Sequence, residues 1–339
     1  MNARAETPPE PYEPAEATLD VTIVIPTYNG EDYLEQILSA IETQDYDGTV
    51  ETLVIDSGST DRTLDIVAAH PDVRLHRIPN TEFGHGRTRQ LAARMSRGKY
   101  VVYLTHDAIP GDSRWLHEIT APLDPDGIDA VAVMGKQVPR PSCFPLLKYE
   151  INGVFQGFGP DFGTTIFSND GFADGNQGLL DALAFYSDVN SATRRELLLG
   201  DIPYRDLPYS EDMAFGEDII AAGLRKAYAP RGWVIHSNDL TLREYGMRIF
   251  DETTALRRIG KPIAPLGRGR QIAYIGRGAL RDTARIARDR QYGWKRRLYW
   301  LAVNPVFHVV KWDSYYKASR VDLADEAAIR AGSLEHSRK

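Results

Sequence analysis

The sequence predicts an α/β fold in which a mostly parallel sheet is flanked by helices. Short runs of β-branched and other apolar residues alternate with amphipathic segments between residues 21 and 107, and this alternation is typical of parallel strands joined by helices. The apolar runs are nearly continuous, which indicates strands buried on both faces of the sheet. Clusters of Gly, Asn, Asp, Ser and Thr follow three of these runs, as expected where strands enter loops.

The predicted elements follow one another in a regular order. "VTIVIPTYNG" is a strand with its loop, and "EDYLEQILSAIETQ" is a helix with apolar residues at helical spacing. "VETLVIDSGSTD" is a second strand and loop, "TLDIVAAH" is a short helix, and "VRLHRIP" is a third strand. "GRTRQLAARMSRG" is helical, and "YVVYLTHDA" is the fourth strand. These elements account for residues 21–107.

Three polar loops lie at one edge of the predicted sheet. "PTYNG", "DSGSTD" and "THDAIP" each follow the carboxyl end of a strand. In open parallel sheets, ligands bind in the crevice outside these ends. The sequence therefore predicts a ligand site at this edge, with Asp107 at the tip of the fourth strand.

The second half of the chain is less regular. "DAVAVMGKQ" is a further strand, and residues 153–178, rich in Gly and Phe, are predicted to form a long ordered loop or lid. "AFYSDVNSATRRELL" is interpreted as strand, loop and helix. "SEDMAFGEDIIAAGLRKAY" forms a helix entered through acidic residues, which suits the helix dipole. "AYAPRGWVIHSN" is a late strand that carries Trp233 and ends in His236.

The composition excludes several classes of protein. Hydrophobic residues make up 42% and charged residues 26% of the 339 residues, as in ordinary globular proteins, and the net charge of −7 argues against a nucleic-acid-binding protein. The single cysteine, Cys143, fits a reducing compartment. Residues 1–20, rich in Pro, Glu and Ala, are predicted to be a disordered tail that is neither a secretory signal nor a membrane anchor. No apolar run is long enough to span a membrane, so any membrane contact would be peripheral.

The C-terminal portion differs from the rest in charge. Between residues 257 and 297 there are thirteen Lys and Arg residues but only two acidic ones, Asp282 and Asp289. Basic residues interleaved with Trp and Tyr across residues 268–312 suit an anionic membrane surface. The alternatives are a solvated basic helix beside an ordinary core helix, or a homo-oligomer interface. We therefore divide the chain into a tail (1–20), a main domain (21–256) and a basic helical extension (257–339).

A few side chains carry candidate chemistry. Asp107 could bind a divalent cation, Mg or Mn, which could in turn hold a diphosphate, and His236 could share that cation if both strand tips face one cleft. Glu211 and Asp212 precede a helix, where capping and dipole matching are the ordinary explanation. In the functional interpretation, Asp212 is a general base that takes a proton from an acceptor hydroxyl. Each residue alone is most often structural, but together they indicate a catalytic site.

These motifs together resemble a known family. "VTIVIPTYNGEDYLEQILSAIETQ", "VIDSGSTDRT", "FGHGRTRQLAARMSRGKYVVYLTHDAIP", "SEDMAFGEDIIAAG" and "VIHSNDLTLREYGMRIFD" occur in the order found in family 2 glycosyltransferases, over roughly residues 21–251. The resemblance implies an inverting, metal-dependent enzyme of the GT-A fold. "GHGRTRQ", "THDAIP", "MGKQVPRP" and "HSNDLTLREYGMRIFD" look most like the rhamnosyltransferase branch, which typically uses dTDP-L-rhamnose.

The resemblance implies roles for residues that would hold the sugar nucleotide. Asp56 would form a hydrogen bond with the edge of the base. It would do so without a second aspartate, because Ser57 stands where the family often has one. Guanidinium groups of the "GRTRQ" motif would approach the nucleotide or its diphosphate, since their planar fork matches phosphate. His106 either contacts the ribose or faces elsewhere. The complete set of predicted nucleotide-sugar ligands is Thr27, Tyr28, Asn29, Asp56, Arg87, Arg89 and His106.

It also implies the catalytic and metal residues. "THD" replaces the family's Asp-x-Asp, with Thr105 at the first aspartate position, so Asp107 is the remaining acidic metal ligand and His236 its partner. Asp212 of "SED" matches the family's base. Glu211 and Trp233 are further candidates for contacts with the acceptor.

The resemblance implies transfer of a sugar, with L-rhamnose as the best match, to a hydroxyl of a glycan or polyprenyl-diphosphate-linked acceptor at the cytoplasmic face of the plasma membrane. Other donors, such as UDP-galactofuranose or UDP-glucose, stay open. A non-catalytic sugar-nucleotide-binding scaffold on the same fold is a second hypothesis. A nucleotidyltransferase ranks third, because "PTYNGEDY" is acidic and lacks the glycine-rich basic loop that a triphosphate needs.

Overall fold

The computed structural model describes residues 13–169, 171, 175–207 and 210–337. These residues form two compact units. The first comprises the described residues up to 136 together with 159–207 and 211–234, and the second comprises 137–158, 210 and 235–337.

A mixed sheet forms the centre of the first unit. The strands of the described residues are β1 (Leu19–Thr27), β2 (Val50–Asp56), β3 (Val73–Arg77), β4 (Gly98–Leu104), β5 (Ile109–Pro110), β6 (Ala132–Val138), β7 (Thr165–Phe167), β8 (Asn190–Arg194) and β9 (Lys226–Ile235). Their order in the sheet is β3-β2-β1-β4-β8-β6-β9-β5, and β7 pairs with β9. The first four strands are mutually parallel, whereas β8 runs antiparallel to β4 and to β6. The predicted α/β class with a mostly parallel sheet is confirmed for the N-terminal strands.

The helices divide between the two units. Those of the first unit are α1 (Leu34–Glu42), α2 (Thr63–Ala69), α3 (His85–Met95), α4 (Trp115–Thr120), α6 (Gln177–Ala184), α7 (Arg195–Leu199) and α8 (Glu211–Ala221). Those of the second unit are α5 (Pro145–Gln156), α9 (Leu242–Arg258), α10 (Arg268–Arg288), α11 (Trp294–Ala318), α12 (Glu326–Gly332) and α13 (Leu334–Ser337).

The core of the first unit explains why the apolar runs become central strands. Ile23 and Ile25 of β1 and Val102 and Leu104 of β4 are fully buried in one cluster. The apolar face of α1 covers them, with Leu34, Ile37, Leu38 and Ile41 all buried as their helical spacing predicts. Because β1 lies between β2 and β4, the loops after these strands emerge at one edge of the sheet.

The opposite edge of the sheet carries a buried ionic cluster. Glu51, near the start of β2, accepts hydrogen bonds from Thr22 Oγ1 at 2.8 Å and from the guanidinium groups of Arg74 and Arg97. Burial alone would raise the pKa of the Glu51 carboxyl, but the hydrogen bonds from Arg97 and Thr22 outweigh burial and hold the pKa below its ordinary value. A charged group is tolerated here because its lone pairs are satisfied.

The second unit has a helical core of its own. Phe144, at the entry to α5, packs against Tyr245 of α9 and Phe307 of α11, with ring centroids 5.0 Å and 4.7 Å away. α9 begins with a capping box, in which Thr241 and Glu244 exchange side-chain and backbone hydrogen bonds. The described part of the extension predicted over residues 257–339 contains the helices α10 to α13, and the predicted boundary at 256 falls inside α9. None of the helices in the described ranges is both long enough and apolar enough to cross a membrane.

Two predicted boundaries differ from the structure. β1 begins at Leu19, inside the predicted tail, and Ala15 N donates to Arg94 O at 2.8 Å; residues 1–12 lie outside the described residues. The predicted loop over 153–178 begins with the last turn of α5 and includes β7 and the start of α6. Its glycines hid this regular structure from the sequence pattern, and residues 170 and 172–174 lie outside the described part of the chain.

Candidate active site at the carboxyl edge of the sheet

The loops after β1 and β2 are joined by side-chain hydrogen bonds. Asn29 N donates to Ser59 Oγ at 2.9 Å, and Thr60 N donates to Asn29 Oδ1 at 2.8 Å. Gly30 N donates to Thr63 Oγ1 at 2.8 Å. Asn29 has a φ of 50°, a left-handed conformation that Asn tolerates better than most residues. The predicted nucleotide loops therefore form one connected surface.

Thr27 and Asp56 lie beneath this surface. Thr27 O accepts hydrogen bonds from Ser57 N at 2.9 Å and from Ser57 Oγ at 3.1 Å. Asp56 is fully buried, and its Oδ2 accepts from the backbone of Gly58 at 3.0 Å. The carboxylate thus shapes its own loop, and its contact with a base stays a prediction. Tyr28, in the loop after β1, is partly buried.

The loop after β4 reaches the same region. Ala108 N donates to Thr105 O at 3.0 Å, which closes a turn containing His106 and Asp107, both partly buried. A Cβ added to Gly30 would lie 3.4 Å from His106 Cβ, so the turn lies directly against the loop after β1. The structure therefore brings all three predicted loops together, and Asp107 lies at the strand tip as predicted.

A second buried ionic cluster lies beyond the tip of β4. Thr105 N, just after β4, donates a hydrogen bond to Val189 O, beside this cluster, at 3.2 Å. Arg89, on α3 and 7% exposed, donates to Glu211 Oε1 through Nη1 and places Nε 3.3 Å from Asp188 Oδ2. Burial lowers the pKa of the Arg89 guanidinium, but the charges of Glu211 and Asp188 outweigh burial and raise it. The guanidinium is thus firmly cationic, and its approach to a diphosphate stays a prediction.

Asp212 follows Glu211 in the first turn of α8 and is partly buried. Burial is the main reason that its pKa rises from 3.8 to about 7, and the negative charges of Glu211 and Asp188 raise it further. Arg89 and the backbone of Met213 act in the opposite direction. A carboxyl group with a pKa near 7 is suited to exchange protons at neutral pH, which is what a general base must do.

Arg87 and Trp233, two further predicted site residues, have surface partners in the first unit. Arg87 Nε and Nη2 lie 3.2 Å and 3.0 Å from Asp206 Oδ2, and both side chains are about half exposed. Trp233 Nε1 donates to Asp112 Oδ2 at 3.0 Å, and its ring lies over Gly111, where an added Cβ would be only 2.2 Å away. Their contacts with substrate stay predictions.

His236 belongs to the second unit, whereas Asp107 belongs to the first. His236 Nδ1 lies 2.9 Å from Gln137 Oε1, and its role as a metal ligand stays a prediction. Within the described ranges, no group of three or more His, Cys, Asp or Glu side chains is arranged to hold a metal ion.

Asp107 still fits Mg²⁺ or Mn²⁺ bound together with substrate. Such ions are commonly held by one or two carboxylates, substrate phosphates and water, without a complete protein cage. Asp107 supplies one hard oxygen ligand at the strand tip. Thr105 Oγ1, at the first position of the motif, is buried and has no hydrogen-bond partner in the described part of the chain.

Sequence reasoning missed Asp188 and its partners. Asp188 is 1% exposed, and its Oδ1 accepts from Ser191 Oγ at 2.7 Å and Tyr204 Oη at 2.8 Å. Burial raises its pKa, Arg89 acts against this, and Glu211 adds to it. The available signal was an aspartate placed immediately before a strand of small polar residues, "SDVNSATR", at a carboxyl-edge position.

The site combines connected polar loops at the carboxyl edge of the sheet with a carboxyl group whose pKa is about 7. This combination is typical of an α/β enzyme that acts on a polar ligand. A model of glycosyl transferase family 2 matches residues 22–199, more than half of the chain. The chain belongs to glycosyl transferase family 2, and it is a glycosyltransferase. The resemblance that the motifs predicted is therefore confirmed, together with the GT-A-like fold.

The comparisons also give individual relatives. The O-antigen chain rhamnosyltransferase RfbN of Salmonella typhimurium is 30% identical over 239 residues, which cover 69% of this chain and 71% of the relative. The O-antigen chain rhamnosyltransferase WbaN of Salmonella anatum is 30% identical over 234 residues, covering 68% and 70%. A crystal structure of a mycobacterial protein superposes with a TM-score of 0.50 at 22% identity, covering 74% of this chain and 78% of that one, a likeness of fold alone.

Proposed function

We propose that this glycosyltransferase transfers L-rhamnose from dTDP-L-rhamnose, with inversion, to a hydroxyl of a glycan or polyprenyl-diphosphate-linked acceptor in cell-surface polysaccharide assembly. The observation that carries the reaction is Asp212, a carboxyl group with a pKa of about 7 beside the connected loops. The choice of sugar is supported by the two rhamnosyltransferases that are 30% identical to the chain.

The reaction is a single displacement. Asp212 takes the proton of the acceptor hydroxyl as its oxygen attacks the anomeric carbon from the face opposite the diphosphate. The new glycosidic bond forms while the bond to the diphosphate oxygen breaks, and the nucleoside diphosphate leaves with the electron pair. The resulting glycoside has the opposite anomeric configuration.

The joined loops after β1 and β2 would hold the nucleotide. Tyr28 and Asn29 lie on this surface, and Thr27 and Asp56 lie beneath it. The hydrogen bonds between its two loops fix their shape before a ligand arrives. Little conformational entropy is then lost when the nucleotide binds. His106, which lies against Gly30, would contact the ribose side of the donor.

Asp107 would hold the divalent cation, and the sequence prediction adds His236 as its partner. Bound Mg²⁺ or Mn²⁺ offsets the negative charge that develops on the departing diphosphate. Asp107 contributes a carboxylate oxygen at the tip of β4. Arg87 would add a cationic group near the phosphates, besides the divalent cation.

The test measures release of nucleoside diphosphate from a panel of sugar nucleotides in the presence of polyprenyl-diphosphate-linked and free glycan acceptors. We expect release from dTDP-L-rhamnose that depends on Mg²⁺ or Mn²⁺, stops with chelator, and falls by on the order of 10²-fold or more in Asp212→Asn. Asp107→Ala should lose the metal dependence together with activity, whereas Asp126→Ala, an exposed carboxylate elsewhere in the first unit, should behave as the parent.

Each other outcome contradicts a particular part of the proposal. Release from UDP-galactofuranose or UDP-glucose alone would make the donor assignment wrong and leave the reaction class intact. Undiminished release in the presence of chelator would show that the reaction does not depend on a metal ion. Binding of sugar nucleotides without turnover across all acceptors would favour a non-catalytic scaffold.

We further propose that the second unit docks on the anionic cytoplasmic face of a membrane. Ile272, Gly276, Leu280 and Ala284 of α10 recur every fourth residue and are exposed, so they form one apolar stripe. A row of exposed arginines accompanies it: Arg270, Arg277, Arg281 and Arg288. Apolar side chains beside a basic row are the signature of a helix lying in a membrane interface.

α11 repeats this arrangement at its start. Trp294, Leu298, Ala302 and Val306 are exposed at the same spacing, next to Lys295 and Arg296. Each Lys or Arg near an anionic surface contributes on the order of 1 kcal/mol of attraction, which salt screens. We therefore expect binding to vesicles rich in phosphatidylglycerol and little binding to phosphatidylcholine vesicles or at high salt.

The vesicle test uses the full chain and matched substitutions. Leu280→Glu and Leu298→Glu should weaken co-sedimentation with anionic vesicles, whereas Phe162→Glu, which changes an exposed apolar residue of the first unit, should not. Unchanged binding in both α10 and α11 variants would contradict the assignment. A loss of dimer in solution on the same substitutions would instead identify this face as a homo-oligomer interface.

A further inference from the structure

Two carboxyl groups share one guanidinium beside the proposed base. Arg89 contacts Asp188 and Glu211, and Asp212 is the neighbour of Glu211 in the first turn of α8. If all four groups were ionised, the cluster would hold a net charge of −2 in surroundings largely closed to water. Such an imbalance is costly, so the protonation of each carboxyl group depends on the others.

The two central members of this cluster are held rigidly. Asp188 is fixed by the hydroxyl groups of Ser191 and Tyr204. The backbone carbonyl of Arg89 accepts a hydrogen bond from Tyr103 Oη at 2.8 Å, and its Nη1 also donates to His85 O at 3.2 Å. Arg89 therefore has a fixed position relative to the first residue of α8.

We propose that Arg89 and Asp188 are positioning residues for the base: together they orient the start of α8 through Glu211 and set the electrostatic field in which Asp212 accepts its proton. The inference rests on the proposed role of Asp212. It assigns Arg89 to the base, instead of the donor diphosphate that its sequence motif predicted.

The signs of the two effects are opposite. The positive charge of Arg89 favours ionised Asp212, and the negative charges of Asp188 and Glu211 disfavour it. The tyrosines that line the cluster, Tyr103 and Tyr204, both have pKa values raised well above the ordinary value, chiefly by burial, and so stay neutral near pH 7. Removing one charge should therefore move the titration of Asp212 in a direction fixed by which charge is lost.

The experiment is the pH dependence of kcat in the full chain. Asp188→Asn should shift the acidic limb to lower pH, and Arg89→Gln should shift it to higher pH, each by on the order of one pH unit. The KM for the donor should stay close to that of the parent in both variants. A merely structural role would lower activity without moving the two limbs in opposite directions.

Two further variants guard against loss of folding. Tyr204→Phe removes one donor to Asp188, which makes Asp188 harder to ionise, so the limb should move in the same direction as in Asp188→Asn but by less. Glu51→Gln is the matched control, because it also removes a buried carboxylate paired with arginine, at the other edge of the sheet. Its acidic limb should coincide with that of the parent.

Carbon-13 NMR titration of the aspartate carboxyls, with Asp212 assigned through Asp212→Asn, separates this inference from the proposed function. Opposite shifts of the Asp212 titration in a chain that shows no turnover would uphold the charge coupling and overturn the catalytic role. Shifts in the same direction or an unmoved Asp212 in folded variants would overturn the inference. If Arg89→Gln raised the KM for the donor and left the acidic limb of the pH profile unmoved, Arg89 would be assigned to binding of the donor diphosphate.

Discussion

Replacing Asp212 by asparagine should stabilise the protein at neutral and alkaline pH while removing its activity. Asparagine has nearly the same shape, and its Oδ1 can keep the hydrogen bond that Asp212 Oδ1 accepts from Met213 N at 2.8 Å. The substitution therefore changes the charge and little else. Because ionised Asp212 is held among Asp188 and Glu211, the folded state gains when that charge is absent.

The magnitude follows from the shift in pKa. A pKa raised from 3.8 to about 7 corresponds, at about 1.4 kcal/mol per unit, to a cost of about 4 kcal/mol once the group is ionised in both states. The folded pKa lies above the unfolded one, so the cost is absent well below pH 4, grows as the pH rises between the two values, and is constant above pH 7. The free energy of unfolding of the asparagine variant, taken relative to the parent, should thus increase by about 2–3 kcal/mol from pH 5 to pH 8.

Urea unfolding of parent and variant at pH 5 and pH 8, followed by tryptophan fluorescence, measures this difference. Sugar transfer is assayed on the same samples and should fall by on the order of 10²- to 10⁴-fold, as for loss of a general base. A variant that is less stable than the parent at pH 8, or whose stability difference is equal at the two pH values, would refute the reasoning.

Glu51→Gln provides the control of opposite sign. The pKa of Glu51 is lowered in the folded state, so its contribution to stability is present above the unfolded pKa and is lost as the pH falls through the folded pKa. We expect this variant to be less stable than the parent by about 1–3 kcal/mol at both pH 5 and pH 8. A gain in stability would show that burial outweighs the arginine pairs.

Three further predictions concern other parts of the chain. Lys226 is 1% exposed, and burial lowers its pKa to about 7. The parent therefore loses stability as the pH falls from 10 to 7, because the unfolded chain takes up the proton first. The melting temperature of Lys226→Met, taken relative to the parent, should be higher at pH 6 than at pH 9. Gly216→Ala would place a Cβ 1.9 Å from Ala184 O and displace α8 with Asp212, so transfer activity should fall. Gly163→Ala should keep the activity, because its added Cβ meets no atom of the described residues within 4 Å. Cys143 is buried and burial raises the pKa of its thiol to about 11, so iodoacetamide at pH 8 should label it only after unfolding, and labelling of the folded chain would contradict its placement.

Local patterns in the sequence were sufficient for the parallel strands and for the edge that carries the site. The runs that contain Ile23, Val54 and Val102 are apolar without alternation, and such runs can only be buried on both faces. The turn residues after each strand then place polar groups at the carboxyl edge. The placement of Asp212 at the entry to a helix also followed from local signals, because acidic residues precede an amphipathic segment; in the structure the helix already begins at Glu211.

Pairings between distant segments could not be predicted in this way. Arg89 and Glu211 are 122 residues apart, and nothing near either one specifies the other. An arginine in an amphipathic helix is usually exposed, so its burial could be inferred only from the antiparallel insertion of β8, which brings Asp188 to the tip of β4. The glycines between 153 and 178 misled the prediction because a short strand such as β7 depends on pairing with β9.

The strand order also has a consequence for synthesis on the ribosome. β4 pairs on one side with β1, which precedes it, but its other neighbour is β8, which begins about 85 residues after β4 ends. At about 5–20 residues per second, the apolar β4 edge stays unpaired for roughly 4–17 s while the intervening segments emerge. Such an edge is a template for pairing with other nascent chains. Chaperones that shield hydrophobic strands should therefore determine how much of this chain reaches its folded form in the cell.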